Sequence, residues 1–271
     1  IRKGNEGMCS LKVEEVQIKY DKQIIVKNIS VTIAPQKITT IIGPNGCGKS
    51  TLLKAMSRIL TCSSGDILLD GVSIFTMDTK RLAKRIAILL QRQENLSGIT
   101  VEEIVSYGRF PHRKGLRGLG SEDKEIIDWA IKKTQIDELR HRYIDELSGG
   151  QRQRVWLAMA LAQKTDIIFL DEPTTYLDIS YQLEILELLK KLNEEEGYTI
   201  VMVLHDINQA SLYSDHIVAL ADGKVVCQGA ADKVITAANI ASIFNIRPTI
   251  QPDAKTNKPV IIGYELINRG E

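Results

Sequence analysis

The stretch that decides the fold reads Gly43-Pro44-Asn45-Gly46-Cys47-Gly48-Lys49-Ser50-Thr51. It follows an apolar run typical of a buried strand, residues 38–42, and leads into a helical pattern that starts with Leu52. A strand, a loop with the spacing G-x-x-x-x-G-K-[ST] and a helix together form a phosphate-binding loop. The glycines let consecutive backbone N–H groups turn toward a phosphate, and the helix start adds the positive end of its dipole.

Two side chains of this loop extend the prediction to the ligand. Lys49 supplies a mobile positive charge for the β- and γ-phosphates, and the hydroxyl of Ser50 is placed to hold Mg²⁺. The sequence therefore predicts that residues 43–51 bind a nucleoside triphosphate together with Mg²⁺.

Composition narrows the class of protein. The 271 residues are 44% hydrophobic and 25% charged with a formal net charge of +1, so the chain can bury a core and has no overall charge that attracts nucleic acid.

The four cysteines form no C-x-x-C pair, which suits a reducing compartment. No apolar run approaches the roughly 18–20 residues of a membrane span. The polar N-terminus, with Met8 as a candidate natural start, does not resemble a secretion signal. We expect a cytosolic protein that reaches a membrane only through a partner.

Apolar periodicity predicts an alternation of strands and helices. Strands are predicted over residues 11–20, 24–26, 29–33, 38–42, 65–71, 86–90, 167–170 and 199–204, with a hairpin over 216–229. Helices are predicted from caps at Thr100, Ser121 and Ser148, and over 180–196 and 207–213. We expect an α/β core with a helical insertion over about residues 92–163 and a tail of mixed short elements.

A second candidate anion site lies about a hundred residues further on, in Leu147-Ser148-Gly149-Gly150-Gln151 before a helix. A serine cap and two glycines leave N–H groups and a hydroxyl facing any approaching anion. The alternative is an ordinary capped helix with a glycine turn. Next to a phosphate-binding loop, this pentapeptide resembles the signature of the ATP-binding-cassette (ABC) family.

Two acids follow the apolar strand that ends at Leu170. Ligands of parallel α/β sheets bind at the carboxyl ends of the strands. Asp171 is therefore placed for the Mg²⁺ shell, and Glu172 is able to polarise an attacking water. A strand that merely ends in acids is the alternative, and it is less credible for Asp171-Glu172-Pro173 in this setting.

The resemblance to the ABC family implies roles for four further residues. Gln91 matches the glutamine that reaches Mg²⁺ and the attacking water, with Gln93 as a competitor. Asp178 matches the D-loop aspartate, and His205 matches the switch histidine that hydrogen-bonds the γ-phosphate. Tyr20 stands where the family stacks an aromatic ring on adenine, although a tyrosine in a strand is more often packing.

The resemblance runs from Tyr20 to about residue 230. It implies an ABC ATPase core of the P-loop NTPase class over residues 9–230, with a mixed or parallel sheet, an antiparallel β subdomain and the helical insertion, and a C-terminal extension over 231–271 that packs on the core. It also implies a head-to-tail homodimer, in which the signature residues Ser148–Gln151 of one copy close over ATP held by the other. A water activated by Glu172 then hydrolyses that ATP.

A narrower resemblance is to the ATPases of bacterial importers for iron(III)-siderophores, with the hydroxamate or ferrichrome branch as the best guess and cobalamin and haem importers as alternatives. It rests on residues 105–111, 151–154, 158–163, 174–178 and 205–210. It implies a permease partner, an extracellular siderophore-binding protein, and a place on the cytoplasmic face of the membrane. The 100–117 segment and Gln91 would form the groove that receives a helix of the permease. Four cations make this segment basic: Arg109, Arg113, Lys114 and Arg117. A charged loop that is merely solvated is the alternative, and it stays open.

Two non-transport classes fit the sequence less well. DNA-repair and chromosome-structure ABC ATPases insert long coiled coils between the phosphate-binding loop and the signature, whereas this insertion is short and lacks sustained heptads. Translation-factor ABC proteins carry two cassettes, and this chain has one set of motifs. An importer ATPase with an added sensing domain is a third alternative, for which the tail is short.

Overall fold

A computed structural model describes residues 10–91, 97–113 and 118–267. The chain divides into two compact units. The first unit runs to Thr76 and resumes at Leu192, and the second unit runs from Met77 to Lys191.

The chain alternates strands and helices throughout. The strands are β1 (Leu11–Tyr20), β2 (Gln23–Ile33), β3 (Ile38–Ile42), β4 (Ser64–Leu69), β5 (Val72–Ser73), β6 (Ile86–Leu89), β7 (Ile167–Asp171), β8 (Thr199–Val203), β9 (His216–Ala221), β10 (Lys224–Gly229), β11 (Ile246–Pro252) and β12 (Pro259–Leu266). The helices are α1 (Lys49–Met56), α2 (Thr79–Ala83), α3 (Val101–Tyr107), α4 (Ser121–Lys133), α5 (Gly149–Ala162), α6 (Ile179–Glu196), α7 (Ile207–Tyr213), α8 (Ala231–Val234) and α9 (Ala237–Phe244).

An antiparallel sheet in the first unit follows the order β2-β1-β4-β5. Its strands alternate buried apolar and exposed polar residues, as expected of a sheet with one face on the core. The sequence predicted two short strands over 24–26 and 29–33, but the structure has one strand, β2. Asn28 takes a left-handed conformation with φ 56° within β2, and this local irregularity hid the continuity of the strand.

A mostly parallel sheet holds the centre of the first unit, in the order β10-β9-β3-β8. β3 is buried along its whole length between β8 and β9, both parallel to it, with Ile41 opposite Val203 and Val218. A strand covered on both faces needs a continuous apolar run, which is what residues 38–42 provide. The predicted hairpin at Asp222-Gly223 is confirmed by β9 and β10.

The end of the chain forms α9 and an antiparallel hairpin, β11–β12. Helix α7 contacts the hairpin, because the side chain of Asn208 bonds both the N–H (2.7 Å) and the C=O (2.9 Å) of Ile261. The Ser211 hydroxyl donates to the Pro259 carbonyl at 2.6 Å. Side-chain groups of α7 therefore replace a neighbouring strand along the first half of β12.

The second unit joins the parallel pair β6–β7 to the helices α3, α4 and α5. The predicted helices are confirmed, and Thr100 begins α3 with a reciprocal capping box to Glu103. The predicted cap of α4 is off by one position. Gly120, not Ser121, precedes the helix, and its N–H donates to Asp123 Oδ2 at 3.0 Å. The acid three residues ahead, rather than the serine, satisfies this helix start.

The end of α3 is fastened to the end of α5. A Cβ at Gly108 would lie 2.2 Å from the Met159 carbonyl oxygen, so only glycine allows this close approach. Arg109, 4% exposed, donates to Asp123 Oδ1 and to the Ala162 carbonyl, both at 2.8 Å. The prediction that Arg109 belongs to a basic surface is therefore wrong. Its guanidinium is buried because it closes the carbonyl end of α5.

The structure also bears on membrane contact and thiol chemistry. Over the described ranges, no helix combines the length and apolar character that crossing a bilayer requires. Cys47, Cys62 and Cys227 are free thiols. Cys9 lies outside the described residues.

Replacing Arg109 with glutamine will destabilise the second unit by about 3 kcal/mol, because it removes one partner of a buried ion pair and a donor to the end of α5. Equilibrium urea unfolding measures this loss. Exposed Arg142→Gln is the matched control and should change stability by less than about 0.5 kcal/mol.

The same pair makes the loss depend on pH. Hydrogen bonding to Arg109 lowers the pKa of Asp123, so the pair stabilises the fold above the unfolded pKa of about 4 and loses this effect as the pH falls below it. The difference in free energy of unfolding between wild type and Arg109→Gln should therefore be smaller in acid than at neutral pH. An equal gap at pH 7 and pH 3 would contradict the pairing.

Candidate functional site

Two glycines of the phosphate-binding loop, which follows β3, have backbone conformations and neighbours that exclude a side chain. Gly43 (φ 150°) and Gly48 (φ 104°) lie where side chains are rarely tolerated. A Cβ at Gly43 would lie 2.2 Å from the Leu220 carbonyl oxygen, and one at Gly48 would lie 3.3 Å from that of Ile25. The loop is therefore pressed against β9 on one side and β2 on the other.

The loop is uncrowded at Gly46. A Cβ at Gly46 would meet no atom within 4 Å. Helix α1 starts at Lys49 after Gly48; within the described chain no side chain caps it, and its first turn has no acid. The positive end of the helix dipole at this start therefore favours an anion.

Lys49 is buried and held across the loop. Its ammonium donates to the carbonyls of Gly43 (2.8 Å) and Pro44 (2.9 Å). Burial raises the pKa of the neighbouring Cys47 thiol, which keeps that group neutral. The positive charge at the loop is therefore not cancelled by a thiolate.

His205 and Tyr20 lie at strand ends in the two different sheets of the first unit. Ile41 pairs with Val203 in parallel register, and the Leu204 N–H donates to the Ile41 carbonyl, so His205 follows β8 level with the start of the loop. Tyr20 ends β1 and is partly exposed. It pairs with Gln23, close to the part of β2 that contacts Gly48.

In the second unit, Gln91 and Glu172 are brought together. Asp171 is buried at the end of β7, and Glu172 follows in the left-handed region with φ 55°. The Glu172 carboxylate accepts from the Gln91 amide and from the Thr175 hydroxyl at 3.0 Å. Gln93, the competing glutamine, lies outside the described residues. A strained acid held by two donors is a feature of functional sites.

The signature segment forms the tip of α5. Ser148 Oγ accepts from the Gln151 N–H at 3.3 Å, and the Ser148 N–H donates to Gln151 Oε1 at 3.0 Å. Gly150 is buried against α6, where a Cβ would lie 2.5 Å from the ring of Tyr181. Ser148 and Gly149 stay exposed, so the tip of the helix is accessible to an anion.

Asp178 caps the start of α6. Its Oδ1 accepts from the Ser180 hydroxyl (2.8 Å) and from the Tyr181 N–H (3.1 Å), and these bonds lower its pKa. Sequence reasoning missed this cap and the packing of Tyr181 under the signature. An aspartate directly before a long apolar-periodic helix was the available signal.

Two large apolar side chains beside this cap face solvent. Tyr176 is 89% exposed with φ 63°, and Ile179 is 74% exposed. Exposed apolar side chains next to a candidate site indicate a contact surface.

The 100–117 segment contributes to a groove of about 790 Å³ between α3 and α4. Four carboxylates and two cations line it: Glu102, Glu103, Glu125, Asp128, Lys124 and Arg140. The described lining of this groove is therefore acidic, and Gln91, Arg109 and Arg113 of the expected permease surface are not part of it. Arg113 lies over the ring of Phe110 at 4.6 Å, and Lys114 and Arg117 lie outside the described residues.

The candidate Mg²⁺ ligands suit that ion chemically. The hydroxyl of Ser50, the amide oxygen of Gln91 and the carboxylate of Asp171 are hard oxygen donors. Over the described ranges, no group of three or more His, Cys, Asp or Glu residues could hold a metal. Mg²⁺ retains waters and is usually bound by one or two carboxylates and by phosphates, so each of these donors suits it.

Comparison with known proteins places this arrangement in a family. A family model described as "ABC transporter" matches residues 26–175. The chain belongs to the ABC transporter family. The iron(3+)-hydroxamate import ATP-binding protein FhuC of Bacillus subtilis (strain 168) is 52% identical to this ABC protein over 96% of the chain and 97% of the relative. The ferric enterobactin transport ATP-binding protein FepC of Escherichia coli (strain K12) is 45% identical over 95% of each.

Solved structures agree with the family. An inward-facing metal-chelate type ABC transporter superposes with a TM-score of 0.82 at 25% identity, over 96% of this chain and 97% of that one. A dimeric ATP-binding cassette with ADP and phosphate superposes with a TM-score of 0.70 at 31% identity, over 81% of this chain and 98% of that one. The predicted ABC ATPase fold is confirmed.

Replacing Gly150 with alanine will cost about 1–3 kcal/mol, because the new methyl overlaps the Tyr181 ring. Removing that ring with Tyr181→Ala should make the double variant lose less stability than the sum of the single losses. Urea unfolding of the four proteins tests this. Gly149→Ala is the matched control, since its Cβ would lie 3.8 Å from Leu177, an ordinary contact. Strictly additive losses would remove Tyr181 as the obstacle.

Proposed function

We propose that this chain is the ATP-hydrolysing subunit of a membrane ABC importer for iron(III)-siderophores of the hydroxamate or ferrichrome type. The observation that carries the ATPase role is the phosphate-binding loop with Lys49 held across it. In this proposal residues 9–230 form the ABC ATPase domain, with residues 92–163 inserted, and residues 231–271 form a C-terminal extension.

The nucleotide is held by the first unit. Residues 43–51 surround the phosphates with N–H groups, and the ring of Tyr20 stacks on adenine. Lys49 turns from the loop carbonyls to the β- and γ-phosphates. Ser50, Asp171 and Gln91 would hold Mg²⁺, which would neutralise charge on the phosphates.

Hydrolysis requires a base and an orienting group. Glu172 accepts a proton from the attacking water, and its bonds to Gln91 and Thr175 support this role because they fix the carboxylate. His205 hydrogen-bonds the γ-phosphate as the bond between the γ-phosphorus and the leaving ADP breaks. Its place level with the start of the loop supports that contact.

Each chain supplies one phosphate-binding loop and one signature, so two copies complete two sites. Ser148, Gly149, Gly150 and Gln151 of one copy meet the γ-phosphate held by the other, and Asp178 lies beside them. The exposure of Tyr176 and Ile179 supports this contact, because a second copy would cover both apolar side chains.

The transport role follows from the relatives. FhuC and FepC are named for iron(3+)-hydroxamate import and ferric enterobactin transport. The higher identity to FhuC favours a hydroxamate ligand. In this proposal the chain binds the cytoplasmic side of the permease through the surface of Gln91 and the 100–117 segment, and depends indirectly on an extracellular siderophore-binding protein.

Glu172→Gln will keep ATP binding and lower the rate of hydrolysis at least a hundredfold, because the amide cannot accept the proton of the attacking water. The same variant should form a dimer with ATP and Mg²⁺. Phosphate release and sedimentation measure the two effects.

Two variants control this experiment. Exposed Glu194→Gln on α6 should hydrolyse ATP at the wild-type rate, and Lys49→Ala should weaken nucleotide affinity in titration calorimetry. Normal turnover by Glu172→Gln would remove Glu172 as the base. Unchanged affinity of Lys49→Ala would contradict the loop assignment.

Deleting the gene will abolish uptake of radiolabelled ferric hydroxamates, because the permease loses its energy source. The wild-type gene should restore uptake, and the Glu172→Gln gene should not. A panel with ferric catecholates, cobalamin and haem separates the substrate classes. If the deletion abolished uptake of cobalamin or haem and left uptake of ferric hydroxamates intact, cobalamin or haem would be the substrate and the proposed hydroxamate ligand would be wrong.

A further inference from the structure

His205 lies between the end of β8 and the start of α7, and each side has its own anchor. On the strand side, the Leu204 N–H donates to the Ile41 carbonyl of β3. On the helix side, Asp206 caps α7, and its Oδ1 accepts from the Gln209 N–H at 2.8 Å. The strand side is therefore fixed by the central sheet, and the helix side is only as well placed as α7 itself.

Helix α7 has little apolar packing to hold it. It has seven residues, and isolated helices shorter than about 12–15 residues are marginal. The two side chains that it buries, those of Ala210 and Ser211, are small. The position of α7 therefore depends strongly on its polar contacts with neighbouring elements.

The C-terminal hairpin supplies such contacts to the first half of the helix. In the first turn, the Asn208 side chain accepts from the Ile261 N–H at 2.7 Å and donates to the Ile261 carbonyl at 2.9 Å. Ser211, one turn further on, donates to the Pro259 carbonyl at 2.6 Å. The two bonds of Asn208 fix both the distance and the orientation of the first turn relative to β12.

The other end of α7 is bonded to the same hairpin. Lys258, which directly precedes β12, donates to the carbonyls of Leu212 at 3.1 Å and Ser214 at 2.7 Å. A cation at the carbonyl end of a helix bonds groups that have no acceptor role within the helix and interacts favourably with the helix dipole. Both ends of α7 are therefore fastened to the hairpin.

The hairpin is itself held on the first unit. The Asp253 N–H donates to the Lys258 carbonyl at 2.8 Å, and Asp253 Oδ1 accepts from the Thr256 N–H at 2.8 Å, which fixes the connection between β11 and β12. At the far end, the Ile267 N–H donates to the carbonyl of Asn245, the residue after α9. Helix α9 contacts β9, β10 and β11. The hairpin is thus a fixed support for α7.

We propose that Asn208 is a positioning residue for ATP hydrolysis. By bonding β12 it holds the first turn of α7, and with it His205, level with the start of the phosphate-binding loop. This inference rests on the proposed contact of His205 with the γ-phosphate, and it gives the C-terminal extension the task of fixing that contact. A displacement of about 1 Å in a reacting arrangement can lower the rate roughly a hundredfold, so a modest shift of α7 is enough.

Asn208→Ala should lower kcat about tenfold, because His205 is then less well placed. Its affinity for ATP should change less than about twofold, since the hairpin supports a group that acts during hydrolysis and not the loop that binds the phosphates. Phosphate release and titration calorimetry measure the two effects. Ser211→Ala removes an independent bond to β12 and should lower kcat in the same direction, which keeps the test decisive if Asn208→Ala does not fold.

Asn239→Ala is the matched control. The Asn239 amide also bonds two backbone groups of the first unit, the carbonyls of Lys233 and Val234, both at 3.1 Å. It does so at the start of α9, so its loss should leave kcat at the wild-type value. Urea unfolding compares the stability of the two variants. An equal loss of kcat in both would assign the effect to general destabilisation and overturn the proposal.

A double variant tests whether Asn208 acts through His205. In the His205→Ala background, Asn208→Ala should lower kcat by less than about a further twofold, because α7 then has no histidine to place. A further tenfold loss would show that Asn208 acts on another group. Unchanged kcat of Asn208→Ala alone would equally overturn the proposal.

Hydrogen exchange gives a readout that does not depend on activity. The amides of residues 205–213 should exchange faster in Asn208→Ala than in wild type or in Asn239→Ala, because the helix opens more easily once it is released from β12. Equal exchange in the three proteins would show that the hairpin does not hold α7, and the proposal would be wrong.

The outcomes separate this inference from the proposed function. Slow hydrolysis by His205→Ala with normal hydrolysis by Asn208→Ala keeps the proposed role of His205 and overturns the positioning role of Asn208. Normal hydrolysis by His205→Ala contradicts the proposed role of His205 itself, and the positioning role falls with it.

Discussion

The structure of the first unit depends on how closely backbone can approach backbone where β3 ends. At Gly43 the loop lies so near the carbonyl of Leu220 that a side chain cannot fit, and at Gly48 it lies against β2. Gly46, between these two contacts in the chain, is uncrowded. Because the loop is fixed on both sides by strands, its N–H groups need little rearrangement to meet an anion.

In the second unit, side-chain packing and hydrogen bonds, rather than close backbone contacts, hold the candidate functional segments in place. Its two candidate functional segments, the tip of α5 and the start of α6, are packed on each other through Gly150 and Tyr181. Asp178 bonds the N–H of that tyrosine and so fixes the start of α6. Glu172 is held by two donors within the same unit. Rigid neighbours that orient exposed groups are what a site assembled by two copies requires.

Sequence reasoning succeeded where a local rule decides the structure. The glycine loop, the Thr100–Glu103 capping box, the Ser148 cap and the Asp222-Gly223 turn each depend on neighbouring residues. It failed where the position of a side chain depends on a residue that is distant in the sequence. Arg109 belongs to a basic stretch of sequence, yet Asp123 and the Ala162 carbonyl draw it into the interior. The roles of Gln91, Glu172, His205 and Asp178 in catalysis stay predictions.

By itself the sequence determined the phosphate-binding loop, most strands and helices up to residue 229, and the likeness to ABC ATPases, because glycine spacing and apolar periodicity are local properties of the chain. Only the tertiary structure decided which charges are buried and that the groove between α3 and α4 is acidic. These features depend on contacts between segments that are distant in the sequence, and local sequence patterns do not determine such contacts.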